Sequence, residues 1–426
     1  MAIFNKSISI FFCLICFSSV RGESLPEPLS LEYAIGLAED EQYYQIIEAQ
    51  ASIATAQSEL ERAESELGFR AQLEVEAAYI EPSRIALDQS ANDSRVSLRL
   101  TKPLYNFGSS SEKILAAQIE QSALQNFMPF IIGQRKIDIA RQFYAVILSD
   151  LKYAWDNEAM AIAYVRLESA RDRHALSQLS DVELLESENE YMDEFHQRRL
   201  SEMDQRHSRT ILAELLNRPD ELPSNLINPV FESAKHILPD YPVVLNEILQ
   251  NNPQVKLAEK QVESANQRVS AAGNQFGPRL DAEVEVSEYA RTKGSSDEWR
   301  AQLNLVIPLY ENSSIKTDIS IARADWLKKR ANLLNIKMKL RKLVLTLWQS
   351  VNVLSKRQEQ LQTSQEYREL RLDQSRALYE MEASTDLGDS MVAMSEIQYK
   401  QAKNNFELDL AKMQLRLLAG KSELLR

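Results

Sequence analysis

The sequence repeats one pattern of residues at a displacement of 205 to 209 positions. Alanines seven residues apart precede a glycine in both halves: Ala49, Ala56, Ala63 and Gly68, then Ala258, Ala265, Ala272 and Gly277. The tripeptide Pro-Leu-Tyr follows an alternating stretch at 103–105 and again at 308–310. Such a duplication predicts two similar halves. Each half has the predicted order helix, strand, loop, strand, long helix, turn and helix.

Two segments of each half alternate between apolar and polar residues, the period of a β-strand with one apolar face. The apolar side carries Leu73, Val75, Leu98, Leu100, Val284, Val286, Leu303 and Leu305. The other side carries Glu74, Glu76, Arg99, Asp281, Glu283, Glu285 and Arg300. This polar side fits either the solvated face of a soluble sheet or the water-filled interior of a membrane channel.

Long segments between the strands contain almost no helix breakers. Neither Gly nor Pro occurs in 309–387 or in 134–218, and apolar residues recur there at intervals of three and four. This spacing predicts long antiparallel coiled-coil helices, one of them about 100 Å long at 1.5 Å per residue. Pro129 and Gly133 predict a kink or local unwinding in the corresponding helix of the first half.

The first 22 residues have the composition of a cleavable secretory signal peptide. Lys6 precedes an apolar run, and small residues stand before position 23. Both cysteines, Cys13 and Cys16, lie in this segment, so the mature chain is expected to lack thiols. The net charge of -13 argues against nucleic acid as a partner. No later apolar run reaches the roughly 18 residues of a membrane-spanning helix, so an exported chain of this kind could enter a membrane only through its strands.

Four strands alone would leave two unpaired sheet edges, which is costly in hydrocarbon. The smallest membrane barrels have about eight strands. We therefore expect copies of the chain to complete a barrel, and three copies would supply about twelve strands around an aqueous path. Pro103, Tyr105, Pro308 and Tyr310 mark the predicted passage from strand to helix. Pro is tolerated at such ends, and Tyr suits a membrane interface.

Several of these features together resemble the TolC-like outer-membrane efflux protein family over about residues 30–422. They are the segment Asn252-Pro253-Gln254-Val255-Lys256-Leu257-Ala258, the alanine heptads, the two Pro-Leu-Tyr corners and the closing Leu417-Leu418-Ala419-Gly420. The resemblance implies a homotrimer in the outer membrane. It also implies a composite 12-stranded β-barrel, a trimeric α-barrel tunnel in the periplasm, a periplasmic adaptor and an inner-membrane pump. The predicted division is a signal at 1–22, repeats at 23–220 and 243–420, a linker at 221–242 and a tail at 421–426.

The resemblance also implies a gate of acidic residues at the inner end of the tunnel. Counting back from Gly420 places the family's two gate aspartates on Asp386 and Asp389. Asp386 is equally suited to cap a helix, with Asp389 in its first turn. In the first repeat Asp181 and Glu183 compete for the equivalent position, and Ser180 with Glu183 fits a capping box. No Arg occupies the family's gating position, where Glu380 and Glu382 stand instead.

Other classes of function have weaker support in the sequence. The four histidines show no metal-ligand spacing, and no phosphate loop or nucleophile motif occurs, so we expect neither an enzyme nor a cofactor. A type I protein-secretion duct and a small-molecule or metal efflux duct remain alternatives within transport. A periplasmic coiled-coil adaptor or scaffold is the alternative outside it. Outer-membrane lipid is the remaining expected partner.

Overall fold

The computed structural model describes residues 25–86, 88–231, 238–291, 297–309, 314–381 and 387–421. The predicted signal peptide, Asp386, Tyr310 and residues 422–426 of the predicted tail lie outside these ranges. The first half contains α1 (Leu31–Gly36), α2 (Tyr44–Ser65), β1 (Arg70–Glu76), β2 (Arg95–Tyr105), α3 (Ser109–Ala175) and α4 (Asp181–Leu215). The second half contains α5 (Tyr241–Asn251), α6 (Pro253–Asn274), β3 (Arg279–Tyr289), β4 (Trp299–Val306), α7 (Ser314–Glu380) and α8 (Leu387–Leu418).

The two halves repeat each other in helix length as well as in sequence. Helices α3 and α7 each have 67 residues and are displaced by 205 at both ends. Helices α2 and α6 each have 22 residues and are displaced by 209 at both ends. The duplication therefore sets the element boundaries. At 1.5 Å per residue, α3 and α7 are each about 100 Å long, as predicted.

The strands form one antiparallel sheet in the order β1-β2-β3-β4. Leu98 of β2 lies between Leu73 and Val286, and Arg99 lies between Gln72 and Glu285. The pairing β2-β3 joins the two halves, while β1 and β4 are the outer strands of the sheet within this chain.

The long helices lie side by side in the same order as the strands. Next to the sheet, α2 packs on α3, α3 on α6 and α6 on α7. Farther along, α4 packs on α3, α3 on α8 and α8 on α7. The chain is therefore a row of four helices with α2 and α4 at one end and α7 at the other.

Two hydrophobic clusters hold this row together near its middle. In the first, α1 and the ends of α4 and α8 cover Ile137, Phe143 and Tyr144 of α3. In the second, Val244 and Ile248 of α5 pack on α6, α7 and α8. The short helices α1 and α5 thus brace the long ones.

Strand β2 ends at Tyr105 and α3 begins at Ser109, so the passage from strand to helix directly follows the first Pro-Leu-Tyr. The register of β2 with β3 is irregular between Pro103 and Tyr105. The first strand ends at Glu76, and Tyr79 beyond it forms an isolated bridge with Asn92. One local prediction needs correction. Helix α3 continues through Pro129 and Gly133 without unwinding. Proline removes one helical hydrogen bond, and the packing of Phe130 and Ile137 keeps the helix continuous on both sides.

Candidate functional site: the polar face of the sheet and the helix tips

The charged residues of the four strands form ladders across one face of the sheet. Arg99 Nε lies 3.5 Å from Glu283 Oε1, and its Nη2 lies 3.4 Å from Glu285 Oε2. Gln302 donates to Glu283 at 3.2 Å. Alternation places Asp281 on this same face, in register with Pro103 and Asn304. The sheet therefore brings together the predicted polar residues of both halves.

Glu74 and Glu76 pair with an arginine that the sequence reasoning did not consider. Arg95 Nη2 lies 3.1 Å from Glu76 Oε2 and 4.0 Å from Glu74 Oε1. Arg300 donates through Nη2 to Asp297 Oδ2 at 3.0 Å. Arg95 stands at the start of β2 on the side of Arg99, so the period of two could have identified it.

The apolar face of this sheet is more exposed than the polar face. Leu98, Leu303 and Trp299 expose 51%, 68% and 70% of their surfaces. On the polar face, the neighbours Ser97 and Ser287 expose 1% and 5%. In β2 and β3 the polar side chains are thus less exposed than the apolar ones, the reverse of a soluble sheet, whereas β1 is exposed on both faces. An exposed apolar surface of this extent marks an interaction surface.

The two Pro-Leu-Tyr corners differ in detail. Pro103 and Tyr105 lie within β2, at its C-terminal end, whereas Pro308 lies beyond Val306, the last residue of β4. After Tyr105 the chain enters α3 through Phe107 and Gly108, whose φ angles are 54° and 83°. The Phe107 ring lies against Gly277, where a Cβ atom would come within 2.0 Å of the ring.

At the far end of the helices, Asp181 and Glu183 occupy the first turn of α4. The Ser180 side chain accepts from the Glu183 N–H at 3.3 Å, and Glu183 Oε2 accepts from the Ser180 N–H at 2.9 Å, which completes a capping box. These Ser180 hydrogen bonds lower the pKa of Glu183. Asp181 Oδ1 lies 2.7 Å from His174 Nε2 at the end of α3.

Asp389 is held at the start of α8 by an arginine from the other half of the chain. Arg166 of α3 donates through Nη2 to Asp389 Oδ1, and through Nη1 to Glu190 of α4 at 3.2 Å. Arg166 therefore ties α8 to the α3–α4 pair. The sequence-based prediction missed Arg166 because its partner Asp389 is 223 positions away in the chain. The acidic run of α4 from Asp181 to Glu194, which contains no basic residue, was the available signal that basic partners lie on neighbouring helices.

Among the described residues, no group of three or more His, Cys, Asp or Glu side chains could hold a metal ion. No helix in the described ranges is long and apolar enough to cross a membrane.

Comparison with solved structures identifies this arrangement of helices and strands. The chain is similar to the outer membrane protein VceC of Vibrio cholerae, with 16% identity, coverage of 92% of this chain and 96% of that one, and a TM-score of 0.69. It is similar to the CmeC outer membrane channel of Campylobacter jejuni, with 13% identity, coverage of 92% and 86%, and a TM-score of 0.74. It is also similar to a membrane protein from Pseudomonas aeruginosa, with 14% identity, coverage of 91% of this chain and 90% of that one, and a TM-score of 0.74.

The predicted mainly helical fold with a small antiparallel sheet is therefore confirmed. By sequence, residues 244–421 match the family model described as outer membrane efflux protein. The second half of the chain therefore resembles outer membrane efflux proteins in sequence. No curated protein matches the chain by sequence. The description of the matched family agrees with the predicted outer-membrane location, and VceC and CmeC are described as an outer membrane protein and an outer membrane channel.

Proposed function

We propose that this protein is a passive trimeric exit duct of a tripartite export system. The observation that carries the proposal is the inverted sheet, with Leu98 and Leu303 outside, Ser97 and Arg99 inside, and both edge strands available for pairing. In lipid, such a sheet satisfies its backbone only by joining other strands. The residues 23–220 and 243–420 act in this proposal as the two repeats, connected by 221–242.

The ends of the helix row suit a head-to-tail contact between copies. Along α7, Leu327, Leu334 and Met338 expose 55%, 62% and 50% of their surfaces opposite the seam with α6. At the other end of the row, α2 exposes the small residues Ala51, Ala54 and Ser58. Large side chains of one helix fit beside small ones of another. A contact between unlike surfaces generates a ring when the rotation closes, and three copies give the twelve strands expected.

The gate in this proposal lies at the α7–α8 tips. Asp389, with Asp386 before it, supplies the carboxylates of the constriction, and Asp181 and Glu183 supply a second acidic group at the α3–α4 turns. A ring of carboxylates attracts cations and repels anions. Arg166 compensates for the missing family arginine by holding Asp389 in the closed state.

Planar bilayer recordings test the gate. Replacing Asp386 and Asp389 by Asn is expected to raise single-channel conductance and weaken block by a trivalent cation, because the ring loses its charge. Arg166→Gln is expected to raise conductance while cation block persists. The control Asp373→Asn changes an exposed aspartate of α7 that pairs with Arg376 in its own helix. If the Asp386/Asp389 variant and the Arg166 variant both kept the conductance and cation block of the unchanged protein, the helix tips would not form the gate.

A periplasmic adaptor and an inner-membrane pump complete the proposed system. The substrate class follows from the pump, so a small-molecule or metal efflux duct and a type I secretion duct have the same geometry. Crosslinking in cells followed by identification of co-purified proteins separates them. Recovery of neither an adaptor nor a pump would contradict the tripartite assembly.

A further inference from the structure

The part of α7 nearest the sheet is strongly basic in an otherwise acidic chain. Residues 314–342 contain two acidic side chains, Asp318 and Asp325, whereas the whole chain has a formal charge of -13. The basic residues of this segment are Lys316, Arg323, Lys328, Lys329, Arg330, Lys337, Lys339, Arg341 and Lys342.

Four of these basic residues recur every seven positions on one side of the helix: Lys316, Arg323, Arg330 and Lys337. We call this set the basic stripe. Each follows directly after a buried or half-buried position on the α6 side of α7, namely Ile315, Ala322, Lys329 and Ile336. Lys337 Nζ reaches Glu259 Oε1 of α6 at 2.8 Å. The stripe therefore runs along the edge of the α6–α7 seam.

Trp348 shows which edge of the seam this is. Trp348 comes directly after the buried Leu347, just as each residue of the basic stripe comes directly after a residue at the α6–α7 seam. Its Nε1 donates to the Pro239 carbonyl at 3.0 Å, and its ring lies 6.1 Å from that of Tyr241. The basic stripe is thus on the face that carries α5. In the proposed ring this face is outside, because α1 and α5 would otherwise fill the tunnel.

Three residues of the stripe lack an acidic partner in the part of the chain that the structure describes. No carboxylate there lies within 4.0 Å of Lys316, Arg323 or Arg330, although the Arg330 guanidinium stands over the Trp326 ring at 5.6 Å. The duplication supplies an internal comparison. The equivalent positions of α3, displaced by 205, are the uncharged Ser111, Gln118, Gln125 and Ile132. Packing of the helix row therefore does not require these charges.

We propose that the basic stripe docks an extended polymer with regularly spaced carboxylates, which in the proposed location is the peptidoglycan of the cell wall. The proposal rests on the proposed placement of the sheet in the outer membrane. From Lys316 to Lys337 the stripe descends about 32 Å from the sheet at 1.5 Å per residue. A charged lipid surface acts over only about 8 Å at physiological salt. A membrane would therefore engage Lys316 alone, whereas a polymer strand can engage the whole stripe.

Co-sedimentation with isolated cell-wall sacculi tests this docking. The purified protein in detergent is expected to pellet with sacculi at low salt and to remain in the supernatant at high salt. Lys316→Gln with Arg323→Gln and Arg330→Gln should reduce the pelleted fraction roughly tenfold, because the contacts act together in each multivalent ring. The matched control changes Lys356, Arg357 and Arg376 to Gln on the lower part of α7 and should pellet like the unchanged protein.

Three outcomes would overturn the docking proposal. The first is equal pelleting of the stripe variant and the control variant. The second is a stripe variant that no longer binds phosphatidylglycerol vesicles but still binds sacculi, which would assign the stripe to lipid. The third is dissociation of the stripe variant into monomers in size-exclusion chromatography, which assigns it to the contact between copies. Bilayer conductance of the same variant tests the duct separately, since it should be unchanged if only docking is lost.

Discussion

At the scale of single residues, a buried arginine joins three parts of the first half. Arg135 exposes 1% of its surface. Its Nη1 donates to the carbonyls of Ala38 and Asp40 at 3.0 Å, and its Nη2 donates to that of Leu215 at 3.5 Å. The guanidinium also lies 3.8 Å from the Tyr43 ring centroid. Burial lowers the pKa of Arg135, but an arginine stays charged, so these acceptors compensate for the lost hydration.

Arg135→Met should destabilise the protein by about 3 kcal/mol, because hydrogen bonds to a charged group contribute about 1.5–3 kcal/mol and three carbonyls lose their donor. Thermal unfolding in detergent measures the change. Arg141→Met is the matched control in α3, since the half-exposed Arg141 side chain pairs with Asp138 of the same helix and its loss should cost less than about 1 kcal/mol. Equal effects of the two variants would contradict the role assigned to Arg135.

A second residue-scale feature is the group of charges between α3 and α4. Lys152 contacts Asp156, whose side chain is 5% exposed. Burial, followed by the nearby charge of Asp156, raises the pKa of Glu194 above its ordinary value near 4.5, and Glu190 and Asp193 add to the shift while Lys152 opposes it. Protonation of Glu194 is therefore more favourable in the folded state than in the unfolded state.

Glu194→Gln should weaken the pH dependence of stability. Because the pKa of Glu194 is higher in the folded state than in the unfolded state, its stabilising contribution is complete below pH 4.5. This contribution is lost as the pH rises through the pKa of the folded state. The variant should accordingly gain thermal stability relative to the unchanged protein between pH 4 and pH 7. Asp204→Asn, at an exposed position of the same helix, is the control. A difference between Glu194→Gln and the unchanged protein that does not vary with pH would contradict the assignment.

At the scale of elements, periodicity and duplication predicted most of what the structure contains. The period of two identified all four strands, and the repeat anticipated the equal lengths of α3 and α7. A local rule failed where tertiary packing overrides it, since α3 runs through Pro129 without unwinding. Of the tip residues, Arg166 was missed because its partner Asp389 is 223 positions away, a distance that no local pattern spans.

The contact between α8 and α3 supplies the prediction at this scale. A Cβ atom on Gly388 would lie 2.6 Å from Ile162 Cδ1. Gly388→Ala should therefore move the start of α8 away from α3, weaken the Arg166–Asp389 pair and raise bilayer conductance. The control Gly273→Ala adds a methyl group where no atom lies within 4 Å, and it should stabilise α6 by about 0.5–1 kcal/mol without changing conductance.

Restoring room for the added methyl group distinguishes this effect from general damage. Ile162→Ala removes the atoms that a Cβ on residue 388 would meet. Combined with Gly388→Ala, it should return conductance toward that of the unchanged protein. Conductance that stays high in the double variant would show that the close approach of α8 to Ile162 is not what holds the tip.

At the scale of the whole molecule, the strands and the helices that form the row follow the same order from one side of the chain to the other. The sheet runs β1-β2-β3-β4, and the helices beneath it run from α2 and α4 through α3, α6 and α8 to α7. The unpaired edges of sheet and helices therefore lie at the same two ends. One head-to-tail contact between copies can complete both layers, which is why the sheet's apolar face and the helix row belong to one proposal.

The orientation of that sheet is the central claim, and site-directed spin labelling tests it most directly. Cys13 and Cys16 are the only two cysteines of the sequence, so an introduced cysteine is the only thiol once both have been replaced by Ser. Labels at Leu98, Leu100, Val284 and Leu303 in lipid vesicles should be relaxed by dissolved oxygen, whereas labels at Arg99, Thr101, Glu283 and Gln302 should be relaxed by a water-soluble nickel complex. Access of the nickel complex to both sets alike would contradict a sheet with lipid on one face and water on the other.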